Sequence, residues 1–502
     1  MTTTRSKKMR RQGERGVILI TSIVFAAISA IMIAALIGWF AATLKVSRNL
    51  VYREQAFQIA EAGIEYYRWH LAHAPTDYED GTATSGPYVH DYYDKDGNLI
   101  GTFTLTITPP LVGSTKVDIL SVGQMASDTD EKRSIDAVYA IPSLAQYAVV
   151  ANDNLRFGAG TVVSGPISSN YGIQFDGVAQ NIVSSAVSSY YDPDYSGAHQ
   201  QFGVYTRVDA PPASGTDLTD DYIPAEAPPN IPAARTDVFQ SGREFSVPAV
   251  DFSGLTADLA TLQASAQSAG KYLAASGAQG YDVLLNTNNT FTLYKVTSLK
   301  AAPSNCTNTA SQTNWGTWSI NAESLVGTYA LPANGILFFA DNVWVRGQID
   351  GSRVTIVAAT LPDNASTRKS ITVNNSLTYT NFDGTDVIGL IAQQDVNVGL
   401  YSDNALTIDA ALVAQNGRVG RYYYPPTTGA NGCYPYANRA TLNLDGMIAT
   451  NSRYGFAYTD NTGYATRNLT YDANLIESPP PSFPVSSSDQ YQLVSWKEVD
   501  PQ

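Results

Sequence analysis

Residues 17–44 carry no charged side chain, whereas the chain on either side of them is polar. The run is 28 residues long. As a helix rising about 1.5 Å per residue it would cross the roughly 30 Å hydrocarbon core of a bilayer with some tilt. Beyond it the apolar positions narrow to a stripe. Phe57, Ala60, Ile64, Tyr67 and Leu71 recur at alternating spacings of three and four, which marks a helix with one apolar face. Glu54, Glu61, Glu65 and Arg68 fall largely elsewhere, and no proline intervenes before Pro75. One helix is therefore predicted over 17–74, roughly 87 Å long at about 1.5 Å per residue. Its first half is apolar all round and its second half is amphipathic.

From residue 76 the period changes. Asp94-Lys95-Asp96-Gly97-Asn98 reads as a hairpin turn before the alternating Ile100, Thr102, Thr104, Thr106 and Thr108. The aspartate spacing is that of a calcium loop, but Leu105 stands where the twelfth-position acid is required, so a plain turn is expected. Further strands are predicted at 117–122 and 135–141. Residues 76–143 thus form a small β domain behind the helix of 17–75.

Residues 144–502 are short β runs separated by Gly, Asn and Ser, with internal echoes. Val163-Ser164-Gly165-Pro166-Ile167-Ser168-Ser169-Asn170 returns as Leu444-Asp445-Gly446-Met447-Ile448-Ala449-Thr450-Asn451. Leu390-Ile391-Ala392-Gln393 returns 22 residues on as Leu412-Val413-Ala414-Gln415, and Leu406-Thr407-Ile408-Asp409 as Leu442-Asn443-Leu444-Asp445. Echoes near 20 residues per turn suggest coils of a β-solenoid; a β-sandwich with look-alike strands is the alternative. The fold class expected is α+β, mostly β. A Pro/Ala/Asp-rich loop at 209–235 and an amphipathic helix at 253–273 interrupt the strands. The tail, with Pro479-Pro480-Pro481 and Trp496, is expected to dock along the sheet and protect its last edge.

Composition narrows the function. Charged residues make up only 15%, with 38 Gly and 31 Tyr, which suits an exported β-rich protein better than a cytosolic helical enzyme. The net charge is −14. Residues 1–16 hold six basic side chains against Glu14, a net +5, so the remainder carries −14 − 5 = −19. So acidic a chain argues against general nucleic-acid binding, which needs clustered Lys and Arg. Cys306 and Cys433 lie in polar loop sequence beyond the apolar run. A disulfide between them and two free thiols both remain open, and without a CxxC spacing a zinc or redox site is not expected.

The basic leader of 1–16 ends in Glu14-Arg15-Gly16, directly before the apolar run. An ordinary secretory signal has a shorter apolar core and a small-residue cleavage site after it. A plain signal anchor would keep the basic flank in the cytoplasm. The arrangement resembles a third kind, the type III signal of type IV pilins and pseudopilins. There a prepilin peptidase cuts after the glycine and the new N-terminus is usually methylated; the resemblance puts the cut between Gly16 and Val17. Behind the run, Ala56-Phe57-Gln58-Ile59-Ala60-Glu61-Ala62-Gly63 resembles the A-F-Q-x-A-E-A-G signature of PilX-like minor pilins, akin to K-type pseudopilins. Thr21 stands where most pilins have a glutamate, which that family also commonly lacks; this favours a minor or tip subunit.

The resemblance implies a single-pass inner-membrane protein with its C-terminal region outside, able to join a filament at the cell surface. Its partners would be the membrane, the prepilin peptidase and other pilin or pseudopilin subunits, with surface glycans or host or abiotic surfaces as ligands of an adhesive β module. The alternative is a membrane-anchored adhesin or glycan-binding protein, and behind it a polysaccharide-degrading enzyme on a solenoid. Enzymatic activity is not expected: no G-x-S-x-G, P-loop or G-x-G-x-x-G pattern stands in context. The acid pairs Asp192/Asp194 and Asp220/Asp221 sit in turn-like sequence. No cofactor or metal is expected, His70 and His73 reading as packing residues. Arg421 with Tyr422-Tyr423-Tyr424-Pro425-Pro426 is a candidate adhesive surface, or else tyrosines packed over a coil.

Overall fold

The computed structural model describes residues 14–110, 114–141, 143–194, 199–211, 224–252, 255–426, 432–484 and 490–500. Helix α1 runs Glu14–His73 as one uninterrupted element. The chain divides into two compact units, one of Met1–Thr108, Asp118–Ala137 and Ser495–Gln502, the other of Pro109–Val117 and Val138–Val494.

In the first unit the C-terminal half of α1 lies on a sheet built from β1 (Tyr88–Tyr93), β2 (Leu99–Thr108), β3 (Val117–Met125) and β4 (Asp128–Ala140). The pairs β1–β2 and β2–β3 are antiparallel. Asp94 closes the first hairpin, its Oδ1 accepting from the amides of Asp96 and Asn98 at 2.8 Å each. The strand Gln492–Val499 joins the sheet beyond β4, in the order β1-β2-β3-β4 and then the C-terminal strand. The division at residue 143 suggested by the sequence is therefore crossed by the last residues of the chain. Arg133 pairs there with Glu498, and Lys497 with Asp136.

The second unit winds as coils, each turn giving one strand to each of three ladders. On the turn from 387, Val387–Ala392 enters the first ladder, Val396–Val398 the second, and the start of Ala405–Ala414 the third. Neighbouring coils pair in parallel, while the strands Gly280–Asn286, Thr290–Leu299 and Ile320–Ala330 pair antiparallel as an excursion from them. Parallel ladders of this kind are solenoid-like and distinguish the unit from an antiparallel sandwich. The sequence echoes are the register itself. Leu390, Ile391 and Ala392 face Leu412, Val413 and Ala414, and Leu406 to Asp409 face Leu442 to Asp445. Val149–Ala151 lies between the other pair of echoes, taking Ile448 on one side and Ile167 on the other.

Order in space differs from order in sequence. One run of coils spans 149–245 and a second spans 271–471. The end of the second run pairs with the start of the first, Ile448 with Val149 and Leu469 with Val163. Between the runs lies α2 (Leu255–Ser268), which stops short of the predicted 273 because Lys271–Leu273 is already a strand of the first ladder; 253 and 254 lie outside the described residues. The interior is filled by alternate residues such as Val149, Ile167, Ile356, Leu390 and Leu412. The residues between them, such as Val150, Val357, Ile391 and Val413, form a second core outside the first ladder with Leu259, Leu262 and Ala266 of α2 and Phe483 of the tail. Burial on both faces explains why these strands read as continuous apolar runs. The Pro-rich stretch is anchored rather than loose where it is described: Glu226 is buried and holds Arg243 at 2.5 Å.

Candidate functional site

Helix α1 presents two surfaces. Every large apolar side chain from Val17 to Val46 that could seek a core is exposed, Val17 at 61% and Trp39 at 69%. This helix is the one element among the described residues long and apolar enough to cross a membrane. Gly16 lies within its first turn. Further along, Ala56, Ile59, Ala60, Ile64, Tyr67 and Leu71 are buried. Phe57, at the edge of the stripe, is half-buried, with Trp496 edge-on at 6.0 Å and the Arg133 guanidinium 5.6 Å from its ring.

The Ala-Glu-Ala-Gly run has a packing role. Glu61 is exposed and Ala62 half-buried, while Gly63 is buried against β2, where a Cβ would stand 2.9 Å from the Phe103 ring. Gly123 of β3 is placed the same way, its absent Cβ 2.5 Å from the backbone nitrogen of Ala60. Gly123 thus brings sheet and helix backbones together, while Gly63 lets the Ser121 and Phe103 side chains lie against the helix. His70 pairs with Asp77 at 3.2 Å, and His73 Nδ1 meets the Trp69 carbonyl at 2.8 Å. Among the described residues, no three His, Cys, Asp or Glu side chains converge as metal ligands.

In the second unit the outward column of the second ladder is Asp282, Trp344, Thr372, Asn397 and Gly420, in register on successive coils. Two loop segments close over it, and Cys306 and Cys433, one in each, are joined as a disulfide with Cα atoms 4.6 Å apart. Around them pack Leu400, Tyr422 and Tyr424. The tyrosine run is therefore largely a cover over a coil, with Tyr423 alone of the three half-exposed. Arg421 is fully buried beneath it, donating to the carbonyls of Gly399, Leu400 and Tyr436. Burial without a carboxylate partner pushes its guanidinium down to about 10.

Beside this cover lies a cleft of about 120 Å³, floored by Asp282 and Trp344 and rimmed by Lys300, Ile320, Arg346, Asn375 and Tyr401. Asp282 is fully buried and takes Arg346 Nε at 3.0 Å on Oδ2, while its Oδ1 has no hydrogen-bond partner. Burial pushes its carboxyl up to about 6, opposed by Arg346 and reinforced by Glu323. Arg346 also reaches Glu323, at 3.4 Å. Lys300 sits over the Tyr401 ring at 4.6 Å.

The acid pairs resolve differently. Asp192 accepts from the Tyr205 hydroxyl at 2.6 Å, and Asp194 is gripped by Arg453 at 2.5 Å and Arg156 at 3.4 Å. Both carboxylates are thereby occupied in structure. Asp220 and Asp221 lie outside the described residues. A third cluster went unnoticed in the sequence, although the echo of Asp409 in Asp445 was its signal. These two stack in register with Asp472 nearby, and burial pushes each of the pair up to about 6.

No protein-family model and no curated relative matches the chain. Among solved structures it is similar to the competence-associated pilin ComZ from Thermus thermophilus, at 14% identity and a TM-score of 0.31. That match covers 89% of this chain and 97% of the other. A score so low carries neither fold nor function across.

Proposed function

We propose that the chain is a PilX-like minor subunit of a type IV pilus or related secretion filament. It is inserted by α1, processed between Gly16 and Val17 by a prepilin peptidase, and displays its solenoid-like unit outside the membrane. One observation supports this most: a single helix carries a fully exposed apolar half and, without a break, a half seated on an antiparallel sheet. The exposed half needs lipid or neighbouring helices to cover it, since so large an apolar surface is not left in water. A helix that is both anchor and domain backbone can exchange lipid for the helices of other subunits while its outer domain stays intact. In cells with an active prepilin peptidase, Gly16→Val should retain the leader-bearing form in the membrane and empty the fraction sheared from the surface. A variant that still appears in that fraction at the normal level would favour a membrane-anchored adhesin released by another route.

A further inference from the structure

We infer that the cleft over Asp282 and Trp344 binds one acidic sugar residue, a uronic-acid ring of a polysaccharide chain. The cleft has a volume of about 120 Å³. It suits a single ring or short side group and falls below the roughly 300 Å³ where drug-sized pockets begin. The lining is mixed in the way a pyranose requires, with an apolar wall and polar groups around the perimeter. Ile320 and Tyr401 supply the wall.

The charges then select the kind of sugar. Lys300 is exposed and, among the described residues, forms no ion pair; its nearest recorded partner is the Tyr401 ring. It is the rim cation left to meet a ligand carboxylate. Arg346 spends Nε and Nη2 on Asp282 and Glu323, so its charge is balanced within the protein and its plane is fixed. Asp282 thus lines the floor as the positioning residue of Arg346. Asn375, also on the rim, is exposed and tethered through Nδ2 to Asp403 at 3.0 Å, which leaves its amide oxygen as an acceptor for a ring hydroxyl. Nothing here depends on filament assembly, because the cleft lies wholly within the second unit.

The test is calorimetric titration of the full chain, in detergent, with tetragalacturonate and with its methyl ester, which keeps the rings and removes the charge. Saturable binding of the acid is expected, weakened about tenfold by esterification and about tenfold by Lys300→Ala. Asn375→Ala should weaken it a few-fold, and Lys95→Ala, an exposed lysine of the first unit, should leave it unchanged. Unaltered melting of each variant separates lost contact from lost fold. Absence of saturable binding, equal binding of acid and ester, or a Lys300→Ala variant indistinguishable from Lys95→Ala would each overturn the inference.

Discussion

Asn152 donates its side-chain amide to Asn451 Oδ1 at 2.9 Å, joining residues 299 apart in sequence. Asn170 in turn donates to Asn152 Oδ1 at 2.7 Å. The three form a short asparagine stack at one corner of the coils, across the line where the second run of the solenoid-like unit meets the first. Both Asn170 and Asn451 end the longest echo in the sequence, so the repeated motif is the seam of the fold. Asn152→Ala would leave the half-buried Asn451 Oδ1 without its donor and take one of two acceptors from Asn170 Nδ2, which keeps the Val250 carbonyl. It should lower the stability of the second unit by about 1–2 kcal/mol, measured by urea unfolding of the purified chain, with no change in the first unit.

Gly123 holds α1 against the sheet at backbone distance, and Gly63 makes room for the Phe103 ring. A methyl at Gly123 would strike the Ala60 backbone, which cannot swing aside as a side chain can. Gly123→Ala should cost about 1–3 kcal/mol and raise amide exchange in β2 and β3, while Gly97→Ala, whose Cβ would meet nothing in the hairpin turn, should be limited to the strain of its φ of 83°. Equal exchange in the two variants would mean that the helix is not seated as described.

Asp409 and Asp445 stack as like charges, and their folded pKa values lie above the ordinary 3.8. The folded state therefore binds protons more tightly than the unfolded chain. Stability is greatest below about pH 4 as far as these groups are concerned, and falls as pH rises toward and through about 6. At neutral pH each costs on the order of 1–3 kcal/mol, Asp409 being buried and Asp445 half-buried. Asp445→Asn, which removes one charge where no hydrogen bond is lost, should raise the melting temperature at pH 7.5 and bring a clearly smaller gain at pH 4.5. A gain of equal size at both would show that burial of the ionised carboxylates, with the repulsion it strengthens, is not the cause.

The disulfide closes a loop spanning 127 residues of sequence over the second ladder. Replacing both cysteines by serine should cost about 2–5 kcal/mol. The loss should appear first as exposure of Tyr422 and Tyr424, which quenching of their fluorescence would register.

Much of this was legible because it is local or periodic. The uncharged run, the stripe from Ala60 to Leu71 and the Asp94 turn each carry their own signal within a few residues. The echoes were readable as coils because adjacent coils stack like on like, so Leu390 and Leu412 are both neighbours and look-alikes. What escaped the sequence depends on long-range order. The two runs meet in reverse of chain order, and no local pattern near Ile448 announces Val149 as its neighbour. The C-terminal strand around Trp496 leaves the solenoid-like unit for the first sheet. The cleft joins Asp282 to Arg346 across 64 residues, through a ladder register that only the folded coils provide. The tyrosines after Arg421 illustrate the converse: a conspicuous sequence feature proved to be mostly interior.

In the proposed function α1 is both anchor and assembly element. The most direct measurement is the N-terminal sequence of the protein sheared from the cell surface. The expected first residue is Val17, with a methylated amine, in cells with an active prepilin peptidase. A surface-released protein that keeps residues 1–16 would contradict the account.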